Sequence, residues 1–412
     1  MSSSVVQLLL TGAALGLLQL LAAVPWLYAL DPKLVRASIR RGTPALSVLG
    51  AAAGIGAAGL WFLASFLGDP ARIEFAGRVY GAVLHGQVTV DAFVVFFAVL
   101  LLAWPKGGAV AQAAFREGLR QPMFWLLATL AWVLLVVSIV IPYFTFGDDY
   151  KMMKQIAYDI IMLAPTIFCV IVASTSINEE IEGKTAVTLM SKPITRRQFL
   201  LGKYVGTLAA GWAMTMLVGW WLNWALQIQP FYNRLDDVND TMPKEVAAVV
   251  MPIAQAPFSD LEVLAFVKGG VFWLCESFAF KLGMILNFGQ VMVLLAIAVA
   301  LATRLPFVAN IVIVLVMFFL GHLSPILAEV SRNLRAAGGV AALDLVAFLA
   351  RLFETILPPL EFNSTSLVVI RENPIPLLKF MGYVVTVTLN SLLYSTIALL
   401  FGLIFFEDRD LA

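Results

Sequence analysis

Apolar residues fall into nine long runs separated by shorter polar segments. They are Val5–Leu30, Pro44–Leu67, Val88–Trp104, Met123–Tyr143, Ile156–Ser176, Phe199–Leu226, Gly283–Ala302, Phe307–Leu323 and Phe380–Phe406. A helix rises about 1.5 Å per residue, so a hydrocarbon core about 30 Å thick takes roughly 20 apolar residues. Each run predicts one membrane-spanning helix. Val88–Trp104 is the shortest and carries Asp91 near its start. A further apolar stretch, Leu261–Phe280, is interrupted by Lys268, Gly269, Gly270 and Glu276. It predicts an interfacial or re-entrant segment, with a tenth span as the alternative. The first run precedes its first cation, Lys33, which is the reverse of a secretory signal, so it reads as a mature span. The pattern predicts an all-α polytopic membrane protein with about nine transmembrane helices.

The polar segments set an orientation, because Lys and Arg stay on the cytoplasmic side. Asp31–Arg41 holds Lys33, Arg36, Arg40 and Arg41 against one acid; Lys106–Arg120 holds Lys106, Arg116 and Arg120 against Glu117. Asn178–Lys203 is also rich in Lys and Arg, whereas 227–280 is acidic and punctuated by Pro230, Pro243, Pro252 and Pro257. The first three are expected inside and the last outside, and nine alternating spans satisfy all four. The stretches 227–280 and 324–379 are then long exterior loops. The second contains a helical pattern, with Leu345, Phe348, Leu352 and Ile356 on one face and Asp344, Arg351 and Glu354 on the other.

Composition narrows the function. The chain of 412 residues is 61% hydrophobic and 13% charged, against about 25% charged in soluble proteins, which excludes a soluble globular or disordered protein. A net charge of +1 gives no field to recruit nucleic acid. Two cysteines and two histidines, His85 and His322, make no Cys/His zinc site, and no metal site is expected. No HExxH, Gly-x-Ser-x-Gly or Cys-x-x-Cys motif is present, so no catalytic site is expected in this chain. Among polar groups inside the spans, Asn223, Asn287 and Asn390 are candidates for a substrate path. The alternative is that such amides are hydrogen-bond glue between helices.

The most informative segment joins the fifth and sixth runs. Ser176 followed three residues later by Glu179 is a capping-box pattern, and Glu179, Glu180 and Glu182 would occupy the first turns of a short helix. Pro193 closes the apolar stretch that follows, and Arg196 and Arg197 stand at the mouth of the next span. On composition alone the segment reads as a charged surface loop. Gly183-Lys184-Thr185 imitates the end of a phosphate-binding loop, but that motif needs a glycine where Asn178 stands. This chain is not expected to hydrolyse ATP.

The run NEEIEGKTAVTLMSKPITRRQFLLGK, residues 178–203, resembles the signature of type-2 ATP-binding-cassette (ABC) transporter permeases. Glu180, Glu182, Gly183, Thr185, Leu189, Pro193, Arg196, Gly202 and Lys203 carry the match; Lys184 interrupts the family's Gly-Thr, and Met190 replaces a second Leu. Residues 114–120, with Phe115, Arg116, Glu117 and Arg120, resemble the family's amphipathic elbow helix, and 406–411 its short charged terminus. The resemblance implies a six-span core at 123–412, an elbow at 106–122, and a three-span extension at 1–105. It implies that the segment 178–198 is a coupling element. There Glu179, Glu180, Glu182, Gly183, Lys184, Thr185, Pro193, Arg196 and Arg197 would engage a cytoplasmic ABC ATPase subunit that binds ATP and Mg. The implied function is that of an exporter's permease subunit in a bacterial inner membrane, in contact with membrane lipid. A second permease copy or related chain would complete the complex. A non-transporting scaffold or sensor on the same fold is the alternative.

Overall fold

The computed structural model describes residues 3–141, 149–182, 194–232, 244–255, 257–336, 348, 352, 360–364 and 375–408. They form helices α1 (Ser3–Leu30), α2 (Pro32–Arg41), α3 (Thr43–Leu67), α4 (Pro70–Ala103), α5 (Pro105–Arg120) and α6 (Pro122–Val140). Then follow α7 (Asp149–Glu182), α8 (Arg196–Tyr232), α9 (Lys244–Gln255), α10 (Leu261–Ala302), α11 (Phe307–Ala336), a 3-10 turn (Leu360–Asn363) and α12 (Leu377–Glu407). Eight of these helices are long and apolar enough to cross a membrane. The shorter apolar stretch Phe307–Leu323, in α11, matches the remaining predicted run. The protein is an all-α polytopic membrane protein.

The chain divides into two compact units, Met1–Ala103 with Asn239–Phe280, and Trp104–Val238 with Lys281–Ala412. In the first unit α1 lies against α3 at backbone contact. A Cβ on Gly12 would come 2.8 Å from the Cα of Ala57, so only glycine allows this approach. Leu8, Leu60, Ile73, Val263 and Phe266 form its core. Tyr80 donates its hydroxyl proton to the Leu15 carbonyl at 2.8 Å, and Gln19 donates to Gln87 at 2.7 Å.

Three expectations are corrected here. The stretch 324–379 is not wholly a loop: α11 runs on to Ala336 and a 3-10 turn occupies Leu360–Asn363, while the helical pattern over 344–356 lies outside the described residues except at 348 and 352. The stretch 227–280 is not a loop: α8 runs on to Tyr232, α9 occupies Lys244–Gln255, and α10 begins at Leu261. Nor is Leu261–Phe280 broken by its charges and glycines. Lys268 pairs with Glu74 at 3.0 Å, and Glu74 pairs with Arg78 at 3.1 Å. A Cβ on Gly269 would strike the Glu74 carbonyl, so this glycine is where α4 and α10 touch. The residues that read as helix breakers are the packing points of a helix whose partner lies about 190 positions away in sequence. α4 likewise starts at Pro70 instead of Val88, with the Ala71 amide donating to Asp69 Oδ1 at 3.1 Å and proline in the first turn.

In the second unit α8 is the central helix, flanked by α5, α6, α7 and α12. The buried face of α5 is Gly107, Gly108, Ala111, Ala114 and Gly118, all small. It lies along α8, where a Cβ on Gly202 would come 2.7 Å from Val110 Cβ. Polar side chains pin α11 at two levels. Asn310 donates to Ser174 Oγ and to the Ala298 carbonyl, both at 2.9 Å. Gln290 Nε2 donates to the Leu360 carbonyl at 3.2 Å and lies 2.7 Å from His322 Nε2, while His322 Nδ1 faces the Phe318 carbonyl at 2.9 Å. That set of contacts fits a histidine with its proton on Nδ1.

Candidate functional site

The segment joining α7 and α8 is bounded by two charged clusters. The first is centred on Lys203, about two turns into α8 and only 5% exposed. Its ammonium reaches Glu180 Oε1 at 2.6 Å, Glu117 Oε2 at 3.1 Å and Ser176 Oγ at 2.7 Å. Ser176 donates in turn to Glu117 Oε1 at 3.1 Å. Three elements meet here: Glu117 from α5, Ser176 and Glu180 from α7, and Lys203 from α8. Glycines 202 and 206 let α5 approach α8 closely enough for Glu117 to reach the ammonium.

The geometry corrects the capping box read at Ser176. Ser176 lies inside α7, which continues unbroken to Glu182, so it does not open a helix and the acids follow it within the same helix. The buried Lys203 pairs with Glu180, while Glu179 is exposed.

The second cluster starts at Arg196, the first residue of α8. Thr195 and Gln198 form a reciprocal cap: the Thr195 amide donates to Gln198 Oε1 at 3.1 Å, and the Gln198 amide donates to Thr195 Oγ1 at 3.2 Å. This Thr-x-x-Gln box was legible in the sequence and was missed there. Arg196 Nη1 donates to the Phe406 carbonyl at 2.7 Å and the Glu407 carbonyl at 2.9 Å, at the C-terminal end of α12. Arg197 Nε pairs with Glu407 Oε1 at 2.8 Å on the surface.

The other predicted residues are placed as follows. Gly183, Lys184, Thr185 and Pro193 lie outside the described residues, and Glu182 ends α7. Arg116 and Arg120 are exposed on α5 and line an open cavity of about 580 Å³ with Ala113, Glu117, Gln121 and Pro122. Phe115 is half-buried. The three asparagines do not share one environment. Asn223 and Asn287 are buried, and Asn287 donates to the Tyr158 carbonyl at 3.0 Å, whereas Asn390 is exposed on α12.

Helices of this length and apolarity, with charge gathered at the connection between two of them, define an integral membrane protein with a polar segment between two spans. Residues 119–267 match the family model described as "ABC-2 family transporter protein". Over these residues the chain is similar to permeases of the type-2 ABC transporter family. The match begins near the end of α5, takes in α6 to α9 with both charged clusters' contributions from α7 and α8, and ends in the second turn of α10. Comparison with curated proteins returns no match.

Proposed function

We propose that the chain is the permease subunit of an exporter, and that the segment between α7 and α8 receives the movement of a separate ATPase subunit and passes it to the spans. The observation that carries this reading is the Lys203 cluster. Transmission from a short segment needs a stiff link at its root, because a flexible root would absorb the displacement. Lys203 supplies one by tying the last turns of α7, the elbow helix α5 and the first turns of α8 at one buried point. A displacement of the segment then moves three elements as one body. This is how a partner with two nucleotide-dependent shapes biases a packed bundle between two arrangements.

Glu179 is exposed beside this root. Together with Glu182, Gly183, Lys184, Thr185 and Pro193 it would engage the partner, which would hold ATP and Mg. The segment faces the cytoplasm of a bacterial inner membrane, and a second permease copy or related chain completes the complex. The test is to purify the tagged chain from native membranes with its ATPase subunit and measure vanadate-sensitive hydrolysis. Glu179→Ala and Pro193→Ala are expected to weaken subunit retention. Lys203→Met is expected to keep the subunit while losing the dependence of hydrolysis on the permease. Variants indistinguishable from wild type in both readouts would overturn the coupling role and favour a scaffold.

A further inference from the structure

Two arginines open α8, and that is the wrong end for them. A helix N-terminus is positive, so Arg196 and Arg197 are disfavoured by the dipole of their own helix. The Thr195–Gln198 cap already satisfies the start of α8, so neither arginine is needed to begin it. Arg196 instead spends its guanidinium on another helix. The last carbonyls of α12 have no partners within that helix, and its C-terminus is negative. Arg196 donates to two of them, those of Phe406 and Glu407, and its Cζ lies 5.6 Å from the centre of the Phe406 ring. The contact is backed by packing. Phe406 is fully buried, with its ring centre 5.9 Å from that of Phe199, one turn further along α8. A Cβ on Gly402 would come 2.8 Å from the Ala300 Cα, so the end of α12 is seated against α10 as well.

We propose that Arg196 is a positioning residue that clamps the start of α8 to the end of α12, so that the last span moves with the coupling segment. The inference rests on the coupling role argued above and adds which span is driven. It reassigns Arg196 from gripping the ATPase subunit to holding this chain's own last helix. Arg197, exposed and bonded only through side chains in the contact with Glu407, contributes little to the clamp.

The test is hydrogen exchange read by mass spectrometry on the full chain in nanodiscs with its co-purified ATPase subunit, free and trapped with ADP and vanadate. In wild type, trapping is expected to change exchange in the peptide over 196–202 and in the peptide over 400–408 together. In Arg196→Ala, the subunit stays bound and 196–202 still responds, but 400–408 does not. Its basal exchange rises at least about tenfold, since both charge-assisted hydrogen bonds to the end of α12 are lost. Arg196→Lys, which keeps the charge but not the two-carbonyl fork, is expected to be intermediate, and Arg197→Ala to match wild type. An Arg196→Ala chain in which both peptides respond as in wild type overturns the clamp while leaving the coupling role standing. A wild-type chain in which trapping changes neither peptide overturns the coupling role itself, and the clamp's function with it.

Discussion

Replacing Lys203 with methionine removes the cation from a site where two carboxylates converge. Methionine keeps the length and most of the volume, so the lost term is charge. The Lys203 side chain is 7% exposed, Glu180 22% and Glu117 43%. Removing one partner of a fully buried pair costs about 3–5 kcal/mol, whereas an exposed pair contributes about 0.2–1 kcal/mol. The Glu180 contact lies nearer the first limit and the Glu117 contact nearer the second, which gives about 2–3 kcal/mol. The double variant Lys203→Met/Glu180→Gln removes the stranded charge as well and is expected to recover more than half of that loss. The assay is thermal unfolding followed with a thiol-reactive fluorophore. Cys169 is free and fully buried on α7, with its thiol 3.7 Å from the Thr207 carbonyl on α8, so in a Cys275→Ser background, which removes the other, partly exposed free thiol, its unmasking reports the separation of the two helices that Lys203 joins. A Lys203→Met chain that melts with wild type, or a double variant no more stable than the single one, would refute the claim that this cluster is a stiff link.

Further substitutions separate the other contacts. Gly206→Val places a side chain where Ala114 Cβ would lie 2.7 Å away, and is expected to cost about 1–3 kcal/mol and detach α5, read by the same melt and by protease sensitivity of the elbow. Asn310→Leu removes the two bonds that pin α11 to Ser174 and Ala298, and is expected to cost about 1–2 kcal/mol by the same melt. Asn287→Leu is expected to lower the melting temperature measurably through the lost Tyr158 contact, whereas Asn390→Leu, on an exposed face, is expected to leave it unchanged. In the first unit, Lys268→Met is expected to destabilise the chain, and Lys268→Met/Glu74→Gln to restore part of the loss; equal melting of all three proteins would show that this ion pair does not hold α10 to α4.

The spans themselves were legible because a run of about 20 apolar residues has few other uses. The reading failed where polarity and small size serve packing. Lys268, Gly269 and Gly270 read as interruptions because their partners, Glu74 and Gly77, are distant in sequence and no local pattern announces them. The helix α5 is legible from its charged end, Arg116 to Arg120, yet its packing face of glycines and alanines carries almost no hydrophobic signal. Ser176 and Glu179 have the spacing of a cap, but α7 has enough apolar contact before them to run on, and tertiary packing overrode the local motif. Glu180, Lys203 and Glu117 were each singled out in sequence. That they meet is set by helix packing, which sequence spacing does not encode.

The central claim is tested most directly by affinity purification of the intact chain from native membranes, identification of its partners by mass spectrometry, and assay of the product for vanadate-sensitive ATP hydrolysis. The account predicts a stoichiometric partner with a nucleotide-binding loop, and activity that responds to Lys203→Met. A chain that purifies alone, or whose partner's hydrolysis is indifferent to every substitution between Ser176 and Lys203, would contradict it.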